Sequence, residues 1–228
     1  MLQQAARPDH IRRERSFSER VTLLLARSDC RLVTVDEQRR AIIRLRYEAG
    51  LRDQAIYGRR LPILSDRYDE TGEVYLFGLY IDDELASSIR LHIGSNEHRD
   101  FPSLNAFADV LRPKLDLGTV IIDSTRFVAD QYLSQLNRDL PYITLRICMM
   151  AAEHFNADYV ITAATAQHQE FYRRAFNYQP VSQPRPDACL GATARMMMLH
   201  YRTAADELHR RYPVLCSTRT ERRKLFEQ

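Results

Sequence analysis

Hydrophobic positions along the 228-residue chain change period from one region to the next. Val21, Leu23, Leu24 and Leu25 follow Ser16 and Ser18, either of which can cap a helix there. Arg31 to Val35 reads as a short strand. Asp36 then caps a helix carrying Ile42, Ile43, Leu45 and Tyr47, expected to end near Gly50. Residues 52–72 are polar, contain Pro62 and have no sustained period, which predicts a long loop. Val74 to Ile81, the pair Asp82-Asp83 and Leu85 to Ile93 read as a hairpin. A short helix over 103–112 should stop before Pro113. Thr119 to Val128 is the next strand. Leu140 to Phe155 is the strongest helix, with Pro141 at its start. A strand at Tyr159–Ala164, a helix at Gln167–Phe176, a short strand at Tyr178–Val181 and a methionine-rich strand at Thr193–Tyr201 follow. Hairpins and crossovers together imply one α/β (α+β) domain, a mixed sheet with helices on both faces. It is expected to span 16–201, after a basic arm at 1–15 and before a basic helical tail at 202–228 packed on the domain.

Composition narrows the function. A net charge of +3 with 45% hydrophobic residues fits a packed core and not a charged disordered chain. No apolar run approaches the ~20 residues of a membrane span, and the first 20 residues lack an apolar signal core. Cys30, Cys148, Cys189 and Cys216 are scattered without a CxxC pair, as in a reducing cytoplasm. No HxxxH or His/Cys spacing suggests a metal site, and no GxSxG elbow is present. Seven isolated glycines exclude a P-loop or a GxGxxG dinucleotide site, so no cofactor is expected. Of 33 basic residues only Lys114 and Lys224 are lysines. That bias reflects either GC-rich coding or recognition of acidic groups by guanidinium forks.

Charges inside apolar strands carry the chemistry. Arg90 sits in SSIRLHI, and Asp123 and Arg126 sit in TVIIDSTRFV. A buried charge is costly unless paired, so two such strands imply a shared ionic network. Asp66 and Asp69, just before the hairpin, can supply carboxylates, and Arg46 can join from the preceding helix. The cluster is either a stabilising one or a site where arginines orient carboxylates and one carboxylate acts as base.

The order Arg46, Asp66-x-Tyr68-Asp69, Arg90-Leu91, Asp123-Ser124-Thr125-Arg126-Phe127 resembles the autoinducer (N-acyl-homoserine-lactone) synthases. It is still more similar to the long-chain N-acyl amino acid synthases, and both are GNAT-like acyltransferases. The resemblance covers roughly residues 35–201. Asp123 stands where the lactone synthases have glutamate, and Gly50 where they carry a phenylalanine. The chain has no tryptophan. Those departures disfavour S-adenosylmethionine as acceptor and favour an amino acid. The helix ending Phe171-Tyr172-Arg173-Arg174-Ala175-Phe176-Asn177 is similar to the superfamily's F-Y-x-x-x-G-F signature, with asparagine at the glycine.

The resemblance implies a bacterial, cytoplasmic N-acyltransferase of the EC 2.3.1 type. It would move a fatty acyl group from acyl-carrier protein to the α-amine of an amino acid. Asp123 would take the amine proton through a water. Backbone N–H groups near Phe127 and Val128 would hold the oxyanion. Arg46 and Arg90 would arrange Asp66 and Asp69, or one would bind the acceptor carboxylate. Arg126 would complete the site, and Tyr172 would protonate the leaving thiolate. The connection from Asp130 to Pro141 lacks the glycines that grip a CoA pyrophosphate, which favours the carrier protein. Arg138, Arg146, Arg173 and Arg174 could face that acidic partner. The acyl chain would lie beside the 159–164 strand and the 140–155 helix, with Met149, Met150 and Met196 to Met198 either adapting to it or packing the core. Alternatives are a homoserine-lactone synthase, a CoA-dependent acetyltransferase or a catalytically dead module of this fold. A nucleic-acid binder using the basic ends is disfavoured by the near balance of acids and bases and the lack of a binding motif.

Overall fold

A computed structural model describes residues 15–57, 64–69, 74–187 and 190–227. In chain order the elements are α1 (Phe17–Ala26), β1 (Ser28–Leu32), α2 (Asp36–Tyr57), β2 (Val74–Ile81), β3 (Glu84–Gly94), α3 (Pro102–Ala106) and α4 (Ala108–Asp116). Then come β4 (Ile121–Ala129), α5 (Gln131–Leu136), α6 (Leu140–His154), β5 (Tyr159–Ala164), α7 (Ala166–Phe176), β6 (Gln179–Pro180), β7 (Arg185–Asp187), β8 (Ala192–His200), α8 (Tyr201–Arg211) and α9 (Arg219–Phe226). The strands form one mixed sheet in the order β1-β2-β3-β4-β5-β8-β6, with β7 paired to β8. Among the described residues only β4 and β5 run parallel; the other pairs are antiparallel.

Local chemistry explains most boundaries. Ser16 and Glu19 form a reciprocal capping box at α1. Asp82 and Asp83 take positive φ, as a two-residue hairpin turn requires. Asn177 ends α7 in the left-handed conformation, the role usually given to glycine. Three expectations shift. The first strand lies at Ser28–Leu32, ahead of the predicted Arg31–Val35. Helix α2 does not end near Gly50 but continues to Tyr57; a helical glycine costs ~1 kcal/mol against alanine and does not by itself stop a helix. Pro113 lies inside α4 instead of ending it. The missing N–H there deprives only the carbonyl of Asp109, which is exposed to solvent. Residues 1–14 of the expected arm, and 58–63 and 70–73 of the expected loop, lie outside the described residues, as does Cys189.

Period-two alternation sorts the sheet faces. Ile89, Leu91, Ile122 and Val160 point to one face, where α6, α7, α8 and α9 complete the main core. Phe226 of α9 packs edge-on against Phe77, and Arg146 of α6 anchors the tail through the carbonyls of Val214 (2.7 Å) and Cys216 (2.9 Å). On the other face Ile121, Ile161, Met196 and Met198 meet Phe101, Phe107 and Leu111 around α3 and α4. Along β3 and β4 the residues turned to that second face are Arg90, His92 and Asp123, so an otherwise apolar face carries a buried polar island. Among the described residues no helix is long and apolar enough to cross a membrane.

Candidate active site

The island is an ionic network. Arg46 of α2 grips Asp69 with both terminal nitrogens, at 2.8 and 2.9 Å. Arg90 of β3 is fully buried and reaches Asp66 at 2.6 Å and Asp69 at 3.0 Å. Arg126 of β4 closes the set on Asp66 at 2.8 Å. Asp66 precedes and Asp69 ends a single 3-10 turn, Arg67–Asp69, so the D-x-x-D spacing puts both carboxylates over the sheet. Burial would raise these carboxyls, but the guanidiniums bonded to them prevail and hold both below the usual carboxylate range. Arg90 also donates to the Thr125 hydroxyl at 3.1 Å.

Beside the network a cleft of about 430 Å³ opens where the parallel strands part. β4 and β5 pair only at Ile121–Tyr159, Ile122–Val160 and Asp123–Ile161. Past that point Ser124 to Val128 line one side, and Thr162 to Thr165 with His168 and Tyr172 of α7 line the other. Between Ser88–Val128 and Arg90–Thr125 the register slips, so Arg126 and Phe127 together face Ile89 as a β-bulge. Arg126 holds φ +56° there, which aims its guanidinium at Asp66. Arg46, Gly50, Asp66, Tyr68, Pro102, Ser103 and Asn105 complete the wall. The Tyr68 hydroxyl accepts from Asn105 (2.6 Å) and Arg67 (2.9 Å) and donates to Asp100 (3.0 Å).

Asp123 is placed differently from its expected partners. It is fully buried and lies behind the cleft wall, outside the guanidinium network. Its carboxylate accepts from the Ser103 backbone N–H at 3.0 Å and the Ser103 hydroxyl at 2.7 Å. Burial pushes its carboxyl up to about 6, against the two Ser103 hydrogen bonds, which pull it down. Tyr172 is buried and lines the cleft, and burial holds its phenol above the ordinary value.

The structure thus brings Arg46, Asp66, Asp69, Arg90 and Arg126 together, with Phe127, Val128 and Tyr172 along the same cleft. Ser103, Thr125, Asn105 and Asp187 join them without having been singled out in the sequence. The signal for Ser103 was its place in the Phe101-Pro102-Ser103 start of a helix; nothing local said which strand that start would meet. Two expected surroundings differ. Helix α6 contributes nothing to the cleft, and Met149, Met150 and Met196 to Met198 are all core residues. Arg146 cannot face a partner: it is buried and committed to the tail and Glu221.

Residues 41–200 match the family of the N-acyl amino acid synthase FeeM. The structure of FeeM, an N-acyl amino acid synthase from uncultured soil microbes, resembles this one with a TM-score of 0.60 at 17% identity, over 83% of this chain and 97% of that one. An acyl-CoA N-acyltransferase from Pseudomonas aeruginosa gives 0.51 at 19% identity, over 75% and 97% of the two chains. BjaI, a CoA-dependent acyl-homoserine lactone synthase solved with SAM and isopentyl-CoA, gives 0.51 at 15%, over 74% and 79%. The fold is that of the GNAT-like acyltransferases. No curated protein sequence matches the chain.

Proposed function

The chain belongs to the N-acyl amino acid synthase family, and from that premise we propose that it transfers a fatty acyl group from acyl-carrier protein to the α-amine of an amino acid in the cytoplasm. The observation that carries this reading is the cleft itself: a bulged strand, a parted neighbour and an arginine-braced pair of aspartates at one opening. The thioester lies along Phe127 and Val128, and backbone N–H groups near them at the bulge stabilise the tetrahedral oxyanion, a contribution of roughly 3 kcal/mol per donor. Arg46 and Arg126 both line the cleft, on the side where the acceptor's carboxylate would sit. Asp123 is the base for the amine, and the Tyr172 phenol, kept protonated by burial, supplies the thiolate's proton.

The donor follows from the connection after β4. The Asp130 side chain caps α5 by accepting from the Leu133 N–H at 2.8 Å. The connection from Asp130 to Pro141 has no glycine turn to bring successive backbone N–H groups onto a CoA pyrophosphate. Arg138 is exposed beside this connection and is available to an acidic carrier. Cys30, Cys148 and Cys216 are free thiols, in keeping with a reducing compartment.

The reading is tested with purified protein, acyl-carrier protein and acyl-CoA of equal chain length, and the amino acids or S-adenosylmethionine as acceptors. N-acyl amino acid is the expected product, with kcat/KM higher for the carrier-bound donor. Lactone formation, or a higher kcat/KM for CoA, overturns the acceptor or the donor half respectively.

A further inference from the structure

We infer that Ser103 carries the acceptor's proton from the cleft to Asp123, so that a side-chain hydroxyl stands where a water would otherwise be needed. The inference rests on Asp123 being the base proposed above, and it names the group that touches the substrate. Asp123 is fully buried and has no surface on the cleft. Ser103 is buried but lines the cleft, and it bonds both oxygens of Asp123. Ser103 is a cleft residue bonded directly to Asp123, and so offers a direct path from the cleft to the base.

The hydroxyl has the right polarity for this. Its single proton is directed at Asp123 Oδ1, at 2.7 Å. A hydroxyl has one donor and two acceptor positions, so its remaining acceptor capacity is what it can offer the cleft. The backbone N–H bond to Oδ2, at 3.0 Å, fixes the orientation. When the amine attacks, the N–C bond forms and the carbonyl pair moves to oxygen. The amine proton passes to Ser103 Oγ as the Ser103 proton passes to Asp123. Collapse then breaks the C–S bond, and the thiolate leaves with its pair and takes the Tyr172 proton. The proton on Asp123 returns through Ser103 to the cleft, where the tyrosinate is reprotonated. The net transfer is one proton from amine to thiol.

Among the described residues the ionisable neighbours of Asp123 are few. On β3, Arg90 acts on it through its charge, and His92 is its cross-strand partner. Among the described residues neither ring nitrogen of His92 has a hydrogen-bond partner, and burial lowers its pKa to about 4, so it is neutral around pH 6. Asp187, on β7, opposes ionisation. β5 offers Ile161 in register, and α3 offers Ser103.

The competing explanation is that Asp123 merely caps the first turn of α3. Ser103→Ala, Ser103→Thr, Asp123→Asn and the double variant separate the two. Each is assayed by thiol release from dodecanoyl-carrier protein with the best amino acid acceptor, across pH 5 to 10, and melted on the same preparation. A relay predicts a kcat loss of about 10²-fold for Ser103→Ala, with the acceptor KM within a few-fold and Ser103→Thr largely restored. The loss shrinks as pH rises past the amine's own pKa. The acid limb near pH 6 disappears in Ser103→Ala and Asp123→Asn alike, and the double variant is no worse than the poorer single one. If Ser103→Ala keeps the limb and near-normal kcat while Asp123→Asn does not, the relay is wrong and the base stands. If both variants melt lower with unchanged kcat at low temperature, Asp123 is a cap, and relay and base fall together.

Discussion

Asp66 and Asp69 share three guanidiniums, while Asp123, buried on the same side of the sheet, has one serine for a partner. Asp69 and Asp123 are taken out of water and Asp66 is largely so, yet their affinities for protons move in opposite directions. Where a guanidinium bonds the carboxylate directly, the charged form is favoured; where the bonds come from one serine and a guanidinium acts only from a distance, burial prevails and the neutral form gains. The first arrangement makes a scaffold that resists titration. The second makes a group poised close to neutrality, as a base must be. One face of one sheet thereby supplies both a rigid frame and a reactive group.

The sharpest way to break that contrast is to remove a member of the scaffold. Asp69→Ala leaves Arg46 and Arg90 buried with one carboxylate between them and should cost roughly 3–5 kcal/mol. Thermal or denaturant melting reads this directly, and a small loss would mean that the network is incidental to folding. Asp123→Asn should do the reverse, lowering kcat by about 10²–10⁴-fold with a modest change in melting temperature. A variant that melts many degrees lower but turns over normally would make Asp123 the scaffold residue.

Acid titration sharpens the comparison further, because the two regions carry opposite signs. The folded Asp123 carboxyl, at about 6, is above its unfolded value near 4. The native state therefore binds the extra proton, and its stability rises as pH falls from about 6 to 4, by roughly 3 kcal/mol at full span. Asp66 and Asp69 lie below the unfolded value, so their contribution is present above about pH 4 and is lost as pH falls through their folded values. Melting temperatures of wild type and Asp123→Asn at pH 4.5 and 7.5 should converge or cross accordingly; parallel curves would contradict the assignment. The smallest expected effect is at Tyr172→Phe, about 10²-fold in kcat. It should fade with acyl donors whose leaving thiol is more acidic, and a loss independent of the thiol would remove the acid role.

Much of this was legible from residues alone. Arg90 and Arg126 in apolar strands demanded partners, and Asp66 and Asp69 were the available carboxylates. What stayed hidden depended on which distant segments meet. Ser103 and Asp123 are twenty residues apart, and only the closing of α3 over β4 joins them. Gly50 read as a helix end because glycine is common just past a helix, yet its cost of ~1 kcal/mol inside one is too small to stop α2 by itself. Arg146 looked like one more basic surface residue because the tail it ties down is some 70 residues away in sequence.

Arg126 adopts a left-handed backbone, a conformation that costs a residue with a β-carbon roughly 1–2 kcal/mol. The backbone at this position favours glycine, whereas the Asp66 carboxylate favours a guanidinium. No amino acid satisfies both demands. Substitution to glycine would relax the chain and leave Asp66 short of a counter-charge; lysine would keep a charge but give up the planar fork. The position is therefore a fixed compromise, and a library of variants here should show a narrow optimum at arginine, with stability and turnover pulling in different directions on either side of it.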